Sequence, residues 1–310
     1  MPLYLTEADV DGLLTPEAAL AAVEGSFRRL AEGVVENVPR RRLRLGGGGV
    51  LAVMSAADLG LGIAGVKTYA AGPGGATFVV VLFDAATGEA LALIEADRLG
   101  QFRTGAASGV AAKFLAREGA TGLGVIGAGT QAEMQVRCIR AALPAIEQVL
   151  VYSRAPERRE AFAAEVGAEA AESAQEAATQ DVVVTITTSR DPVLRGDWLR
   201  PGALVCAVGA NHPKARELDS AVLQRAAFVC CDSVEDARIE SGDLIEPVGQ
   251  GVLDWLEVHE LSEVVAGEMQ GRQSDDDIVV FKSNGIAAWD LAIGALAVER
   301  ARERGVGRLV

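Results

Sequence analysis

Between Leu123 and Cys231 short β-branched runs alternate with stretches rich in Ala and Glu, and this rhythm constrains the fold more than any other feature of the chain. Leu123–Ile126, Val149–Tyr152, Val182–Thr187, Leu204–Val208 and Phe228–Cys231 are nearly continuous apolar runs of strand length. That is the pattern of strands buried on both faces of a parallel sheet. Strand, crossover helix and parallel strand, repeated, give an α/β, Rossmann-like doubly wound domain whose ligands lie at the carboxyl ends of the strands.

The first of these strands runs into Gly127-Ala128-Gly129-Thr130-Gln131-Ala132, a G-x-G-x-x-A pattern followed by a helical face through Ala132, Val136, Ile139 and Leu143. Each small residue has a task. Gly127 permits the tight turn, Gly129 lets backbone approach a pyrophosphate, and Ala132 lets the helix sit close to the strand with its N-terminal amides aimed at phosphate. A dinucleotide with a free ribose usually meets an acidic residue at the end of the second strand. Here Val149–Tyr152 ends in Ser153-Arg154, with Arg158 and Arg159 beyond. An extra 2′-phosphate needs donors and positive charge, so NADP(H) is favoured over NAD(H).

The first ~120 residues follow a different, α+β rhythm. Thr15-Pro16-Glu17 opens a helix, an Arg cluster covers Arg40–Arg44, and strands are expected at Val50–Met54, Gly65–Tyr69 and Phe78–Phe83. A helix over Ala106–Leu115 leads through Arg117-Glu118-Gly119, which places a domain boundary near Gly119 and makes 120–285 the nucleotide domain. After a strand at Ile278–Phe281 and the turn Lys282-Ser283-Asn284-Gly285, a helix is expected from Ile286 to about Arg304. Its apolar face, Ile286, Trp289, Ile293 and Leu296, has to cover something: the nucleotide domain, or the N-terminal domain by a return of the chain.

Composition narrows the functions open to such a chain. Lys and Arg number 29 against 43 for Asp and Glu, a net charge of −14, and that field repels nucleic acid and anionic lipid. Apolar runs are strand-sized, and Met1–Val10 carries Glu7 and Asp9 where a secretory leader would be basic and then apolar, so a cytoplasmic protein is expected. Cys138, Cys206, Cys230 and Cys231 lack metal-ligand spacing, and His212 and His259 lie far apart, so neither zinc nor disulfides are expected.

The chain resembles the ornithine cyclodeaminase/mu-crystallin family over nearly its whole length. The resemblance is carried by Val38-Pro39-Arg40-Arg41, Val53-Met54, Gly65-Val66-Lys67, Leu82-Phe83-Asp84 with Thr87-Gly88, Phe102-Arg103-Thr104 and the glycine loop. Further motifs are Ala207-Val208-Gly209, Glu217-Leu218-Asp219, Glu240-Ser241-Gly242-Asp243 and Phe281-Lys282-Ser283-Asn284-Gly285. The resemblance implies an NAD(P)(H)-dependent homodimer whose N-terminal domain, 1–119 completed by the helix of 286–310, binds substrate and pairs with its copy. It also implies that Arg41, Lys67 and Arg103 hold the substrate carboxylate and reacting nitrogen, and that Thr104, Thr187, Val208, Ser283 and Asn284 lie near the cofactor.

Guanidinium forks bind a planar carboxylate bidentately and so orient its α-carbon, while a lysine whose pKa is lowered by neighbouring cations is a proton donor for C=N reduction. By the same resemblance the chain departs from the cyclodeaminases of this family after the strand Leu204–Val208, where Asn211 stands at an aspartate position. An amide cannot accept and return a proton, which argues against cyclodeamination and leaves reduction of a cyclic ketimine acid intact. The expected reaction is therefore reduction of Δ1-pyrroline-2-carboxylate or Δ1-piperideine-2-carboxylate to L-proline or L-pipecolate. Alternatives are an ornithine cyclodeaminase, an L-alanine dehydrogenase, and a mu-crystallin-like protein that binds NADPH and a small ligand.

Overall fold

Thr15 accepts a hydrogen bond from the Ala18 amide at 3.3 Å, Pro16 takes the first helical position, and a helix follows over Pro16–Ala31, as this start signal dictates. The computed structural model describes residues 1–310 and divides into two units, Met1–Arg103 with Ile286–Val310, and Thr104–Gly285. The N-terminal segment runs β1 (Leu3–Leu5), α1 (Glu7–Leu13), α2 (Pro16–Ala31), β2 (Val35–Arg44), β3 (Val50–Asp58), β4 (Ile63–Gly72), β5 (Gly75–Asp84), β6 (Ala90–Glu95) and α3 (Asp97–Leu115). The division falls between Arg103 and Thr104, inside α3, and not at the expected Gly119. Gly119 does take a left-handed φ of 72°, but a helix that runs through a division leaves no turn residue to mark it.

The second unit contains β7 (Gly122–Ile126), α4 (Ala132–Ala142), β8 (Gln148–Tyr152), α5 (Pro156–Val166), β9 (Glu169–Ala170), α6 (Ala174–Ala177), β10 (Val182–Thr185) and β11 (Leu204–Ala207). It continues with α7 (Ser220–Arg225), β12 (Ala226–Cys231), α8 (Val234–Glu240), α9 (Gly242–Gly249), β13 (Val258–Glu260), α10 (Leu261–Ala266) and β14 (Ile278–Lys282). Its sheet is eight-stranded and parallel throughout, in the order β13-β12-β14-β11-β10-β7-β8-β9. Val182 to Val184, Leu204 to Cys206 and Val279 to Phe281 are each fully buried, which is why these strands are apolar without alternation. The strand order reverses between β7 and β10, and the glycine loop opens at that switch point.

The chain then returns to the first unit with α11 (Ala287–Arg304) and β15 (Arg308–Leu309). The seven-stranded sheet of this unit has the order β15-β1-β6-β5-β4-β3-β2. Along β3, Ala52, Met54, Ala56 and Asp58 are buried in alternation with more exposed neighbours, and α11 packs against β2 to β5 and against α2. Trp289 of α11 meets Phe27 of α2 edge to face at 5.2 Å, closing the core of that layer.

Candidate functional site

In the first unit, a lysine and an arginine from two elements meet at one carboxylate, and a third cation stands near enough to the lysine to act on its charge. On β4, Ile63, Gly65 and Lys67 face inward by alternation, so the lysine is directed into the core of its own unit and is only 2 % exposed. Its Nζ donates to Asp290 Oδ1 on α11 at 2.6 Å. Arg103 Nε of α3 lies 3.3 Å from the same oxygen. A Cβ at Gly100 would stand 3.1 Å from Lys67 Nζ, so glycine leaves the ammonium its room. The Phe78 ring on β5 flanks it with its centroid 5.8 Å away. Burial lowers the Lys67 pKa to about 8, with Arg103 and Arg40 pushing it down and Asp290 holding it up.

Arg40 joins this cluster through a bulge. Between the pairs Val38–Ser55 and Arg41–Val53, two residues of β2, Pro39 and Arg40, oppose the single Met54 of β3. Pro39 cannot donate to the ladder, and the extra residue turns two consecutive side chains inward. Arg40 is thus 5 % exposed with its Nε 3.2 Å from Met54 Sδ, whereas Arg41, expected at the substrate, is exposed. Arg103 and Lys67 do come together, and the carboxylate that joins them, Asp290, was not among the expected residues.

In the second unit the glycine loop has the shape its sequence requires. Gly127 has φ 125°, and a Cβ there would stand 2.3 Å from the Ile186 carbonyl oxygen, so no other residue fits. Gly129 faces open space, Ala132 is fully buried, and Gln131 at the N-cap of α4 places no side-chain cap over the first-turn amides. Gly127, Ala128, Gly129, Thr130 and Gln131 therefore form a cradle that fits a pyrophosphate at a helix N-terminus. Ser153, Arg154 and Arg158 follow β8, the two arginines exposed, and Arg159 lays its guanidinium 5.7 Å from the Tyr152 ring. Thr187, Val208, Ser283 and Asn284 follow or end β10, β11 and β14, adjacent parallel strands, so their loops lie along one edge of the sheet. Thr104, the first residue of this unit, is buried on α3, and Asn211 and His212 are exposed on the loop after β11.

A buried ionic network beneath these loops holds them in place. Glu217 accepts from the Thr187 amide and hydroxyl at 2.6 and 2.8 Å, from the Thr185 hydroxyl at 3.0 Å and from the Gly209 amide at 2.6 Å. Asp243 accepts from the Glu217 and Leu218 amides and lies 3.1 Å from Lys282 Nζ, which also donates to the Ala207 and Ala210 carbonyls. Asp232 accepts from the Ser283 hydroxyl and from the Asn284 and Gly285 amides. Burial raises the Glu217 and Asp232 carboxyls, while Lys282 pulls both down. Glu217, Asp243 and Lys282 stand in motifs of the sequence and Asp232 in none of them; that the carboxylates bond loop backbone is visible only in three dimensions.

Comparison with known proteins places these features in a family. The ornithine cyclodeaminase/mu-crystallin family model matches residues 2–305. An alanine dehydrogenase of Archaeoglobus fulgidus is 35% identical over 317 residues, 98% of this chain and 97% of the relative. A Delta(1)-pyrroline-2-carboxylate reductase of Bacillus cereus is 40% identical over 243 residues, 75% of this chain and 73% of the relative. The Thermococcus litoralis Delta(1)-pyrroline-2-carboxylate reductase, solved in complex with NADH and L-proline, superimposes with a TM-score of 0.94 at 34% identity, covering 99% of this chain and 100% of that one. A match of this extent, joined to the glycine cradle and the buried lysine, makes the chain a member of the ornithine cyclodeaminase/mu-crystallin family.

Proposed function

We propose that this chain reduces the C=N bond of a cyclic ketimine amino acid, Δ1-pyrroline-2-carboxylate or Δ1-piperideine-2-carboxylate, forming L-proline or L-pipecolate. It is an NAD(P)H-dependent oxidoreductase acting on carbon–nitrogen bonds. The observation that carries the finer reading is Lys67, a buried amine with a pKa near physiological pH, set beside Arg103 and close enough to Arg40 to feel its charge. In this reading Arg103 and Arg40 grip the substrate carboxylate, which fixes the α-carbon and the ring nitrogen. A bound reduced nicotinamide supplies the hydride that arrives at the α-carbon. Lys67 gives its proton to the ring nitrogen, so the C=N π pair becomes the new N–H bond and no ammonia is released.

The nucleotide is held by Gly127, Ala128, Gly129, Thr130 and Gln131 at the pyrophosphate, with Thr104, Thr187, Val208, Ser283 and Asn284 toward the nicotinamide. Ser153, Arg154 and Arg158 offer a hydroxyl and two cations where an acidic residue would otherwise select a free ribose, and this supports NADP(H) over NAD(H). A second reading, reductive amination of pyruvate, is supported by the alanine dehydrogenase relative. Asn211 supports neither ornithine deamination nor any step that needs a carboxylate base at that position. The uncovered sheet face of the first unit, with Val53 and Val38 38% and 41% exposed, supports pairing with a second copy into a homodimer.

Deuteride transfer tests the reading. Incubated with [4-2H]NADPH of either stereochemical form and Δ1-pyrroline-2-carboxylate, the enzyme should place deuterium on Cα of proline with one form. Deuterium in alanine only, from pyruvate and ammonia, would favour the second reading. Ammonia release from L-ornithine, with no deuterium in proline, would contradict both.

A further inference from the structure

The carboxylate at the centre of the cation cluster has no part in the reaction as written above, yet its placement is costly. Asp290 is fully buried in the first turn of α11, on a stretch whose Ala287, Trp289, Leu291 and Ile293 are buried too, where a carboxylate survives only if paired. Its Oδ1 takes the Lys67 ammonium at 2.6 Å and stands 3.3 Å from Arg103 Nε, so one oxygen ties β4 to α3. Its Oδ2 is buried and accepts no hydrogen bond, and Arg103 Nε likewise has no hydrogen-bond acceptor. A carboxylate placed only for stability would have both oxygens satisfied.

We propose that Asp290 is the positioning residue of this site: it holds the Lys67 ammonium and the Arg103 guanidinium side by side and sets the pH at which Lys67 gives up its proton. The proposal rests on the reductase reading for its catalytic meaning. The charged groups facing Lys67 are Asp290 from α11, Arg103 from α3 and Arg40 from β2, and Asp290 is the one anion among them. Without it, burial and two like charges all favour the neutral amine. A larger share of Lys67 would then be neutral before substrate arrived, and Arg103 would lose the anchor that keeps its fork aimed.

The chain has four lysines, Lys67, Lys113, Lys214 and Lys282, so protein labelled with 13C-lysine gives an assignable set of Cε signals. The Lys67 signal is the one lost in Lys67→Met. In Asp290→Asn its titration midpoint should fall by about 1 pH unit or more, the size of effect expected from losing an opposite charge in contact. The alkaline limb of kcat/KM for Δ1-pyrroline-2-carboxylate should move to lower pH by the same amount, and KM should rise as Arg103 loosens. Where the amide does not fold, Asp290→Ala removes the same charge and leaves room for water. A folded variant whose Lys67 midpoint is unchanged or raised overturns the assignment. A midpoint that falls in a protein whose parent reduces no imine upholds the Asp290–Lys67 coupling and sinks the reductase reading, so the two fail separately.

Discussion

In the proposed reaction Lys67 and Arg103 divide the chemistry between a proton and an anchor, and each predicts a different kinetic lesion. Lys67 must be protonated to serve reduction, and its pKa is lowered to about 8, so kcat/KM for imine reduction should fall as pH rises through about 8. Oxidation of the cyclic amine needs the neutral lysine and should rise over the same interval. Arg103→Ala should cost about 10- to 100-fold in kcat/KM, the worth of a charge-assisted hydrogen-bonded pair, while nucleotide affinity measured by fluorescence titration stays near that of the parent. Arg154→Asp should weaken NADPH at least tenfold relative to NADH, because it sets repulsion where a 2′-phosphate would lie. Equal losses for both nucleotides would contradict that role. At this scale the sequence is readable only in part. Asp290 looks like an ordinary acidic residue in the first turn of a helix, where it complements the dipole, and nothing in its neighbours announces the lysine 223 positions away. Arg40 and Arg41 are indistinguishable until the Pro39–Arg40 bulge decides which of them turns inward.

Elements were legible where their pattern had one cause. The six expected strands of the nucleotide unit are all present, because strands buried on both faces leave uninterrupted apolar runs. β9 and β13 escape such a reading, being two and three residues long, the first exposed and the second partly so, and β6 does so because Ala90–Glu95 is built of good helix formers. α3 begins at Asp97, nine residues before the expected start at Ala106, since Gly100 and Gly105 lower the apparent propensity. Both glycines are explained by close approach: a Cβ at Gly105 would lie 2.2 Å from the Met134 carbonyl oxygen, and one at Gly100 would crowd Lys67. The loop that closes β7 makes the corresponding prediction. Gly127→Ala must adopt an unfavourable φ against the Ile186 carbonyl, at about 1–3 kcal/mol, and should reduce nucleotide affinity about tenfold or more while Lys67 chemistry remains intact. Unaltered nucleotide binding in a folded Gly127→Ala protein would mean that the cradle is not where the pyrophosphate rests.

For the whole molecule, the periodicity of the last helix shows that it must cover an apolar surface, but a stripe of Ile286, Trp289 and Ile293 fits either domain equally well. The structure assigns it to the first unit, against β2 to β5 and α2, and thereby brings Asp290 to Lys67. The site therefore depends on the two ends of the chain folding together, a property no local pattern records. The reductase reading is tested most directly by initial rates of NADPH and NADH oxidation with Δ1-pyrroline-2-carboxylate and Δ1-piperideine-2-carboxylate, alongside pyruvate with ammonia. Ammonia-independent turnover of a cyclic imine is expected, faster with NADPH, with a rate that falls above about pH 8. Turnover only with pyruvate and ammonia, or none while the nucleotide still binds, would contradict the reductase reading.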